Sequence, residues 1–209
     1  MTDVDIKNID IRNPKRKHSE NGNFYPYYAG FSQEFANSLI HSLKIESNSI
    51  IADPWNGSGT TVIAGAKNGF KTVGIDLNPV MVIASKANMV GLNEQSSLWP
   101  IALEIIEVAK SCKFKFNRDP LCAWLTNRSA LYFRNIERSI QKLLVDRLNY
   151  KSLSKEKELV TSISSIASFY YVALFRTLRL IINSFKTSNP TWIKVAKSES
   201  DLRNGIKNQ

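Results

Sequence analysis

The chain has 209 residues, of which 43% are hydrophobic and 22% are charged. This balance can bury a hydrophobic core, which excludes disordered and fibrous proteins. Its 28 Lys and Arg against 18 Asp and Glu give a net charge of +10. A domain this basic usually meets a polyanion, and nucleic acid is the first candidate. A positive surface that serves only solubility is the alternative.

Other classes of protein are excluded by what the sequence holds. Two cysteines, Cys112 and Cys122, do not make a disulfide framework, so we expect a cytoplasmic location. The chain has only 2 histidines and shows no spacing of metal ligands, so we expect no metal site. The longest charge-free apolar stretch, residues 163–175, is shorter than a membrane-spanning helix. Residues 1–11 lack the apolar core of a signal peptide.

The first part of the chain combines a polar arm with an aromatic segment. Residues 1–23 are polar and hold the basic cluster Pro-Lys-Arg-Lys-His, so we expect an arm. Residues 24–31 read Phe-Tyr-Pro-Tyr-Tyr-Ala-Gly-Phe, an aromatic group that either contacts a ligand or plugs the edge of a sheet. Ser32 follows at the N-cap position of a helix whose apolar residues have helical spacing.

Strands and helices alternate in the next segment, with a Gly-rich turn after the first strand. The turn reads Asp-Pro-Trp-Asn-Gly-Ser-Gly-Thr-Thr, and Asp76 follows the second strand. Gly69 ends one helix, and Asn78 followed by Pro79 begins the next. The predicted elements are strand 49–52, turn 53–61, helix 60–68, strand 71–75 and helix 78–88. This order is typical of the first half of a doubly wound sheet.

After residue 93 the sequence predicts helices at 99–113, 128–148 and 154–185, the last with one continuous apolar stripe. Residues 110–151 hold ten Lys and Arg and three Asp and Glu, which is most of the excess charge. We therefore predict an α/β protein, with a partial Rossmann-like sheet and a largely helical C-terminal segment. Its predicted parts are a basic arm at 1–23, an α/β part at 24–93, a basic helical insertion or recognition segment at 94–186 and a tail at 187–209.

The Gly-rich turn has the residue types that a nucleotide-like ligand needs. Gly57 and Gly59 allow a tight backbone and a close approach without a Cβ. The helix that begins near Thr60 offers free N–H groups at its first turn. Asp76 stands at the end of the second strand, where a carboxylate can accept both hydroxyl groups of a ribose.

The turn resembles the S-adenosylmethionine turn of the DNA methyltransferases that methylate adenine N6 or cytosine N4. Trp55 stands where that family typically has Phe. Residues 74–79, Gly-Ile-Asp-Leu-Asn-Pro, resemble the family's second motif, and residues 27–31, Tyr-Tyr-Ala-Gly-Phe, a further cofactor motif of some members. The resemblance covers about residues 24–90. It implies a methyltransferase sheet, S-adenosylmethionine as cofactor and double-stranded DNA as partner.

The resemblance also implies a role for each matching residue. Asp53 would orient the amino group of the cofactor's methionine, and the backbone at Gly57 and Gly59 would pass close to it. Thr60 or Thr61 would contact the carboxylate, and Asp76 the ribose; Leu77, Pro79 or an aromatic residue would flank the adenine. The predicted cofactor-binding residues are Asp53, Pro54, Trp55, Gly57, Ser58, Gly59, Thr60, Thr61, Asp76, Leu77 and Tyr28.

No acceptor motif of the family is found, and the catalytic residues are therefore unassigned. In this family a short Asp/Asn/Ser-Pro-Pro-aromatic motif holds the flipped base. The nearest string, Asn-Pro-Thr-Trp at residues 189–192, has Thr191 in place of the second Pro and follows a predicted helix exit. We read it as a loop, with a degenerate acceptor motif as the alternative.

The expected function is site-specific methylation of DNA at cytosine N4 or adenine N6, in a restriction–modification or defence context. Without the acceptor motif, the chain is expected to be the cofactor-binding portion of such an enzyme, either truncated or completed by a second polypeptide. Two alternatives stay open. One is an RNA amino-methyltransferase, and the other is a non-catalytic subunit that binds cofactor or DNA.

Overall fold

The computed structural model describes residues 24–25, 30–43, 45–112, 119–151, 153 and 157–182. They divide into two compact units, one of the described residues up to 91 with residues 153 and 157–169, and the other of the described residues 92–151 and 170–182. The elements of the described residues are α1 (Gln33–Ser42), β1 (Ile50–Asp53), α2 (Thr60–Lys67), β2 (Lys71–Gly74), α3 (Pro79–Ala87), α4 (Gln95–Ser111), α5 (Asn127–Leu144), α6 (Lys157–Ser162) and α7 (Ser165–Ile182), with short 3-10 turns at Leu92–Glu94 and Pro120–Ala123.

The first unit is built on a β-α-β arrangement. Strands β1 and β2 pair in parallel, with Ile50 opposite Lys71 and Asp53 opposite Gly74, and α2 is the connection between them. Helix α2 approaches the sheet closely at Gly65, where an added Cβ would lie 2.5 Å from the Thr72 methyl carbon. A parallel pair joined by a helix is the unit that the alternation of strands and helices predicts.

The ends of these helices follow the predicted signals. The Ser32 hydroxyl accepts a hydrogen bond from Phe35 N at 3.1 Å, and the Asn78 side chain accepts one from Val80 N at 3.0 Å. Gly69, just beyond α2, has φ +82°, the left-handed conformation expected after a helix. The predicted caps of all three helices are confirmed to within one residue.

One face of the two-stranded sheet is buried and the other is exposed. Ile51 packs with Phe70 against a small core of Ala36, Ile40 and Ala64 from α1 and α2. Ile50 and Val73 point to the opposite face and remain 62% and 47% exposed. Large apolar side chains on an open sheet face indicate a surface built to be covered.

The second unit is helical, and a charged network joins its elements. Arg134 of α5 donates to both carboxylate oxygens of Asp119 and to Glu137, at 2.6 Å for the shortest bond to each. Burial alone would raise the pKa of Asp119, but its bonds from Arg134 and Leu121 N hold that pKa below the usual range. Apolar packing adds a cluster made of Leu125, Ala130 and Phe133, with Leu174, Leu178 and Ile181 against it.

The helices after residue 93 differ from the sequence prediction in their bounds. The single helix expected at 154–185 is two, because α6 ends at Ser162 and α7 begins at Ser165. The break leaves the carbonyl groups of Thr161 and Ile163 free to accept from Lys86 Nζ, the second at 2.9 Å. The spacing of the apolar residues could not predict this contact, because Lys86 lies 75 residues earlier in the chain.

Helices α4 and α5 also differ at one end each. Helix α4 begins at Gln95, four residues before the predicted start, and holds Pro100 inside it. Since Pro100 lies early in the helix, the carbonyl that loses its helical donor belongs to the exposed Ser96, which water can reach. Helix α5 ends at Leu144 rather than near residue 148, because the Asp146 side chain accepts from the backbone of the next turn.

The described residues thus form an α/β protein with a small parallel sheet and a mainly helical remainder, as predicted at that level. The longest helices include α7, which extends beyond the apolar stretch predicted at 163–175 and contains Arg176 and Arg179. By length and composition alone α7 is apolar enough to cross a membrane, a test that the core helices of soluble proteins also pass.

Candidate cofactor-binding site

The candidate site lies at the carboxyl edge of the sheet, where β1 and β2 end side by side. The Asp53 carbonyl accepts from Ile75 N at 2.9 Å, and Asn56 N donates to the Ile75 carbonyl at 3.0 Å. The Asp53 carboxylate accepts from Trp55 N at 3.0 Å, which turns the chain away from the strand. Backbone pairing therefore continues past both strands and fixes the start of the turn.

The turn and Asp76 are brought together by direct hydrogen bonds. Gly57 has φ +50° and its N–H donates to the Asp76 carboxylate at 2.8 Å. The other carboxylate oxygen of Asp76 accepts from Asn78 N at 2.8 Å, which also sets the start of α3. The two segments that the sequence singles out, 19 residues apart, thus meet at one point.

Gly59 is required by the packing of the turn against α3. Its φ of +86° is left-handed, and an added Cβ would lie 2.3 Å from the Ser85 hydroxyl oxygen. That hydroxyl is held in place by the Asn56 side chain, which donates to it at 2.9 Å. Asn88 donates to the Ser58 carbonyl at 3.0 Å. Helix α3 therefore supports the turn from behind.

The remaining predicted residues divide into buried and exposed groups. Gly57, Ser58, Gly59 and Thr60 are buried, Asp53, Thr61 and Asp76 are half-buried, and Pro54 is exposed. Trp55 is 85% exposed and Leu77 is fully exposed, so a large apolar side chain meets solvent shortly after the end of each strand. Tyr28 lies outside the described residues, as do Tyr27 and Ala29 of the same motif.

The chemistry of these groups fits S-adenosylmethionine. Asp53 and Asp76 offer carboxylates to an ammonium group and to ribose hydroxyls. Helix α2 has Gly59 at its N-cap and no side-chain cap, so the positive end of its dipole lies beside the turn, where a ligand carboxylate would be favoured. The Asn56 side-chain oxygen is buried and has no hydrogen-bond partner among the described residues. A buried acceptor beside the turn is one more group that a ligand or its water would satisfy.

Sequence reasoning missed the residues that hold the turn from outside it. Ser85 of α3 and Asn88, just beyond its end, touch the turn, and Asn56, within it, bonds to Ser85 across 29 residues. A small residue at 74 is also needed, since an added Cβ there would lie 2.5 Å from the Asn56 side chain. The sequence shows the glycine at residue 74, but only the fold shows that the Asn56 side chain packs against it.

The described residues include neither the predicted acceptor string nor a cluster of metal ligands. Residues 189–192, the nearest match to the acceptor motif, lie outside the described residues. Within the described ranges there is no group of three or more His, Cys, Asp or Glu placed to hold a metal ion. Cys112 and Cys122 are free thiols, each half-buried.

The sequence of the first unit matches a family of known enzymes. Residues 2–87 match the family model described as DNA methylase. This match covers β1, the turn, β2 and α3, the elements that build the site. The matched part of the chain, less than half of its length, is therefore similar to the amino-methylating DNA methyltransferases.

One known relative supports the same similarity. Type II methyltransferase M.BsoBI of Geobacillus stearothermophilus is 37% identical over 62 residues, which are 30% of this chain and 12% of that protein. The aligned region is thus a small part of the relative's length. No solved structure gives a significant match to the chain.

Proposed function

We propose that the protein binds S-adenosylmethionine at the turn of residues 53–61 and serves methyl transfer to an exocyclic amino group of DNA. The observation that carries the proposal is the hydrogen bond from Gly57 N–H to the Asp76 carboxylate. It joins the two segments that resemble the family's cofactor motifs, at the sheet edge where such folds bind ligands. We also propose that the two strands are part of a larger Rossmann-like sheet.

Each residue of the site has a proposed task. Asp53 accepts from the methionine amino group, directly or through water, and the N–H groups at the start of α2 receive the carboxylate near Thr60 or Thr61. Asp76 accepts from the ribose hydroxyls with the lone pairs that its two backbone bonds leave available. Trp55 and Leu77 cover the adenine, which explains why two large apolar side chains lie exposed beside polar groups.

The chemical demand on the protein is mainly geometric. S-adenosylmethionine supplies a methyl group that is already activated, so the protein contributes binding, alignment and the exclusion of water. The rigid turn serves alignment, because Gly59 packs on Ser85 and Gly57 is held by Asp76. Small errors in position are costly in such a reaction, which is a reason for a turn fixed from several sides.

The proposed substrate is double-stranded DNA, with cytosine N4 or adenine N6 as acceptor. Support comes from the family of the matched segment and from the relative's name as a type II methyltransferase. We propose a site-specific enzyme of a restriction–modification system that acts in the cytoplasm. A base inside a duplex must be flipped out before its amino group can reach the cofactor.

We further propose that the acceptor-holding motif and the remaining strands come from another polypeptide segment. The described sheet has two strands, and its exposed face carries Ile50 and Val73. A strand from such a segment would pair at an edge of this sheet, and a helix would cover the face. The same observation supports the alternative of a subunit that binds cofactor but has no activity alone.

Calorimetry tests cofactor binding directly. We expect the chain to bind S-adenosylmethionine, and Asp76→Asn to weaken the affinity about tenfold, since one charge-assisted hydrogen bond contributes about 1.5 kcal/mol. Asp146→Asn in the second unit removes the same charge and serves as the matched control, with unchanged affinity. A folded chain that binds no S-adenosylmethionine would refute the proposed function.

A methylation assay with labelled cofactor separates the remaining alternatives. We expect duplex DNA to be methylated when the chain is combined with a polypeptide that carries the acceptor motif, and not by the chain alone. Methylation by the chain alone would reassign residues 189–192 as a working acceptor motif. Methylation of RNA in place of DNA would favour an RNA amino-methyltransferase.

A further inference from the structure

The second unit holds a basic cleft that the cofactor site does not use. It encloses about 170 Å³ between the C-terminal half of α5 and the turn at residues 146–150. Its lining includes Arg138, Lys142 and Arg147 and the ring of Tyr150. This space is several times the ~30 Å³ that one water occupies, so a phosphate group with attached waters can enter it.

The wall formed by the turn is held rigidly against α5. The Gln141 side chain accepts from Lys151 N at 2.8 Å and also donates to the Lys151 carbonyl, so it binds the backbone as a neighbouring strand would. The Tyr150 hydroxyl donates to the buried Glu137 carboxylate at 3.0 Å. The wall of the cleft that the turn forms is therefore fixed by the fold.

The cleft keeps an excess of positive charge after its internal contacts are counted. Its acidic group, Asp146, accepts from Leu148 N at 2.9 Å and Asn149 N at 3.2 Å and lies 3.6 Å from Lys151 Nζ. These contacts partly neutralise the negative charge of the Asp146 carboxylate. Lys142 and Arg147 are exposed at the mouth.

Arg138 lies beside an aromatic ring of the cleft. Its guanidinium lies over the Tyr150 ring at 4.8 Å from the ring centre. The attraction between the cation and the ring face restricts where the guanidinium lies. A planar fork of this kind matches the oxygens of a phosphate. Leu148, 90% exposed beside Arg147, adds an apolar contact for a sugar.

We propose that this cleft binds the phosphodiester backbone of double-stranded DNA, with Arg138, Lys142 and Arg147 as the phosphate contacts. The inference rests on the proposed function in one respect, since DNA is the polyanion that a DNA methyltransferase must hold. Phosphate contacts position a duplex without reading its sequence. The cleft therefore serves affinity and orientation, and base recognition requires other residues.

The test is the salt dependence of duplex binding by the full chain, measured by fluorescence anisotropy. We expect Lys142→Gln with Arg147→Gln to lower the slope of log K against log salt by about 2, because each phosphate contact contributes about one unit. The matched control is Arg128→Gln with Arg176→Gln, two exposed arginines of the same unit outside the lining. We expect the control pair to keep at least most of the slope.

Arg138→Gln tests the third contact separately, with circular dichroism to confirm that α5 remains folded. Equal slopes for the cleft pair and the control pair would overturn the inference, as would a wild-type chain that binds no DNA. If the chain binds inorganic phosphate at the cleft but does not bind duplex DNA, the cleft is a site for a free anion, and this result would also overturn the inference. If the chain binds no S-adenosylmethionine but still binds DNA with the expected dependence on salt, the proposed function is refuted and the inference about the cleft is not.

Discussion

Gly59 is the residue on which the geometry of the turn most depends. An alanine there would adopt a left-handed conformation, at a cost of about 1–2 kcal/mol, and its Cβ would lie 2.3 Å from the Ser85 hydroxyl oxygen. Because the neighbour is a packed helix, we expect Gly59→Ala to lower the free energy of unfolding by about 2–4 kcal/mol in total. Urea unfolding measures this change.

Gly69→Ala is the control for that experiment. Gly69 has nearly the same φ, +82°, but nothing lies within 4 Å of an added Cβ. We expect it to lose only the conformational part, about 1–2 kcal/mol. If both variants lose the same amount, the packing of the turn on α3 does not contribute to stability.

At the scale of elements, Lys86 connects α3 to the end of α6. Its ammonium donates to the carbonyl groups of Thr161 and Ile163, and burial lowers its pKa. We expect Lys86→Met, which keeps the apolar stem, to speed amide exchange at the end of α6 about tenfold, for a loss of about 1.5 kcal/mol. Exchange is followed by mass spectrometry, and Ile163 N–H, bonded to the Leu159 carbonyl, is a direct reporter.

Lys67→Met, an exposed lysine in the last turn of α2, is the control, and its exchange in α6 should match that of the wild type. If Lys86→Met leaves exchange in α6 unchanged, the bonds from Lys86 do not stabilise the end of α6. The difference between wild type and Lys86→Met should not shrink as the pH rises, because burial lowers the pKa of Lys86 and loss of its proton therefore favours the folded state.

The elements also show which parts of the fold the sequence can predict. Ser32, Asn78 and Gly69 act within a few residues of their position, so they located α1, α2 and α3 correctly. At the break, the Ser164 hydroxyl accepts from Ala167 N at 3.1 Å, a local signal for the start of α7, whereas the bond from Lys86 to the Ile163 carbonyl comes from a residue distant in sequence. The same holds in the site. Asp76 was found from its spacing, while Ser85 required the packing of α3 on the turn.

At the scale of the whole molecule, the open sheet face decides how the chain behaves when purified alone. Ile50 and Val73 are exposed on a short parallel sheet that has two strands in the described residues. An apolar sheet face with edge strands tends to associate with another copy when no partner covers it. We expect the chain to form concentration-dependent oligomers in sedimentation velocity experiments.

Ile50→Lys with Val73→Lys should shift that equilibrium to the monomer, because charged side chains on the face and edge oppose association. Leu92→Lys with Leu103→Lys, also exposed apolar residues but outside the sheet, is the matched control and should associate like the wild type. A polypeptide that completes the sheet should suppress wild-type oligomers by competing for the same face. Oligomers that persist in the sheet variant would show that association uses another surface. The exposed face of the sheet would then no longer support the proposal that strands of another polypeptide segment dock there.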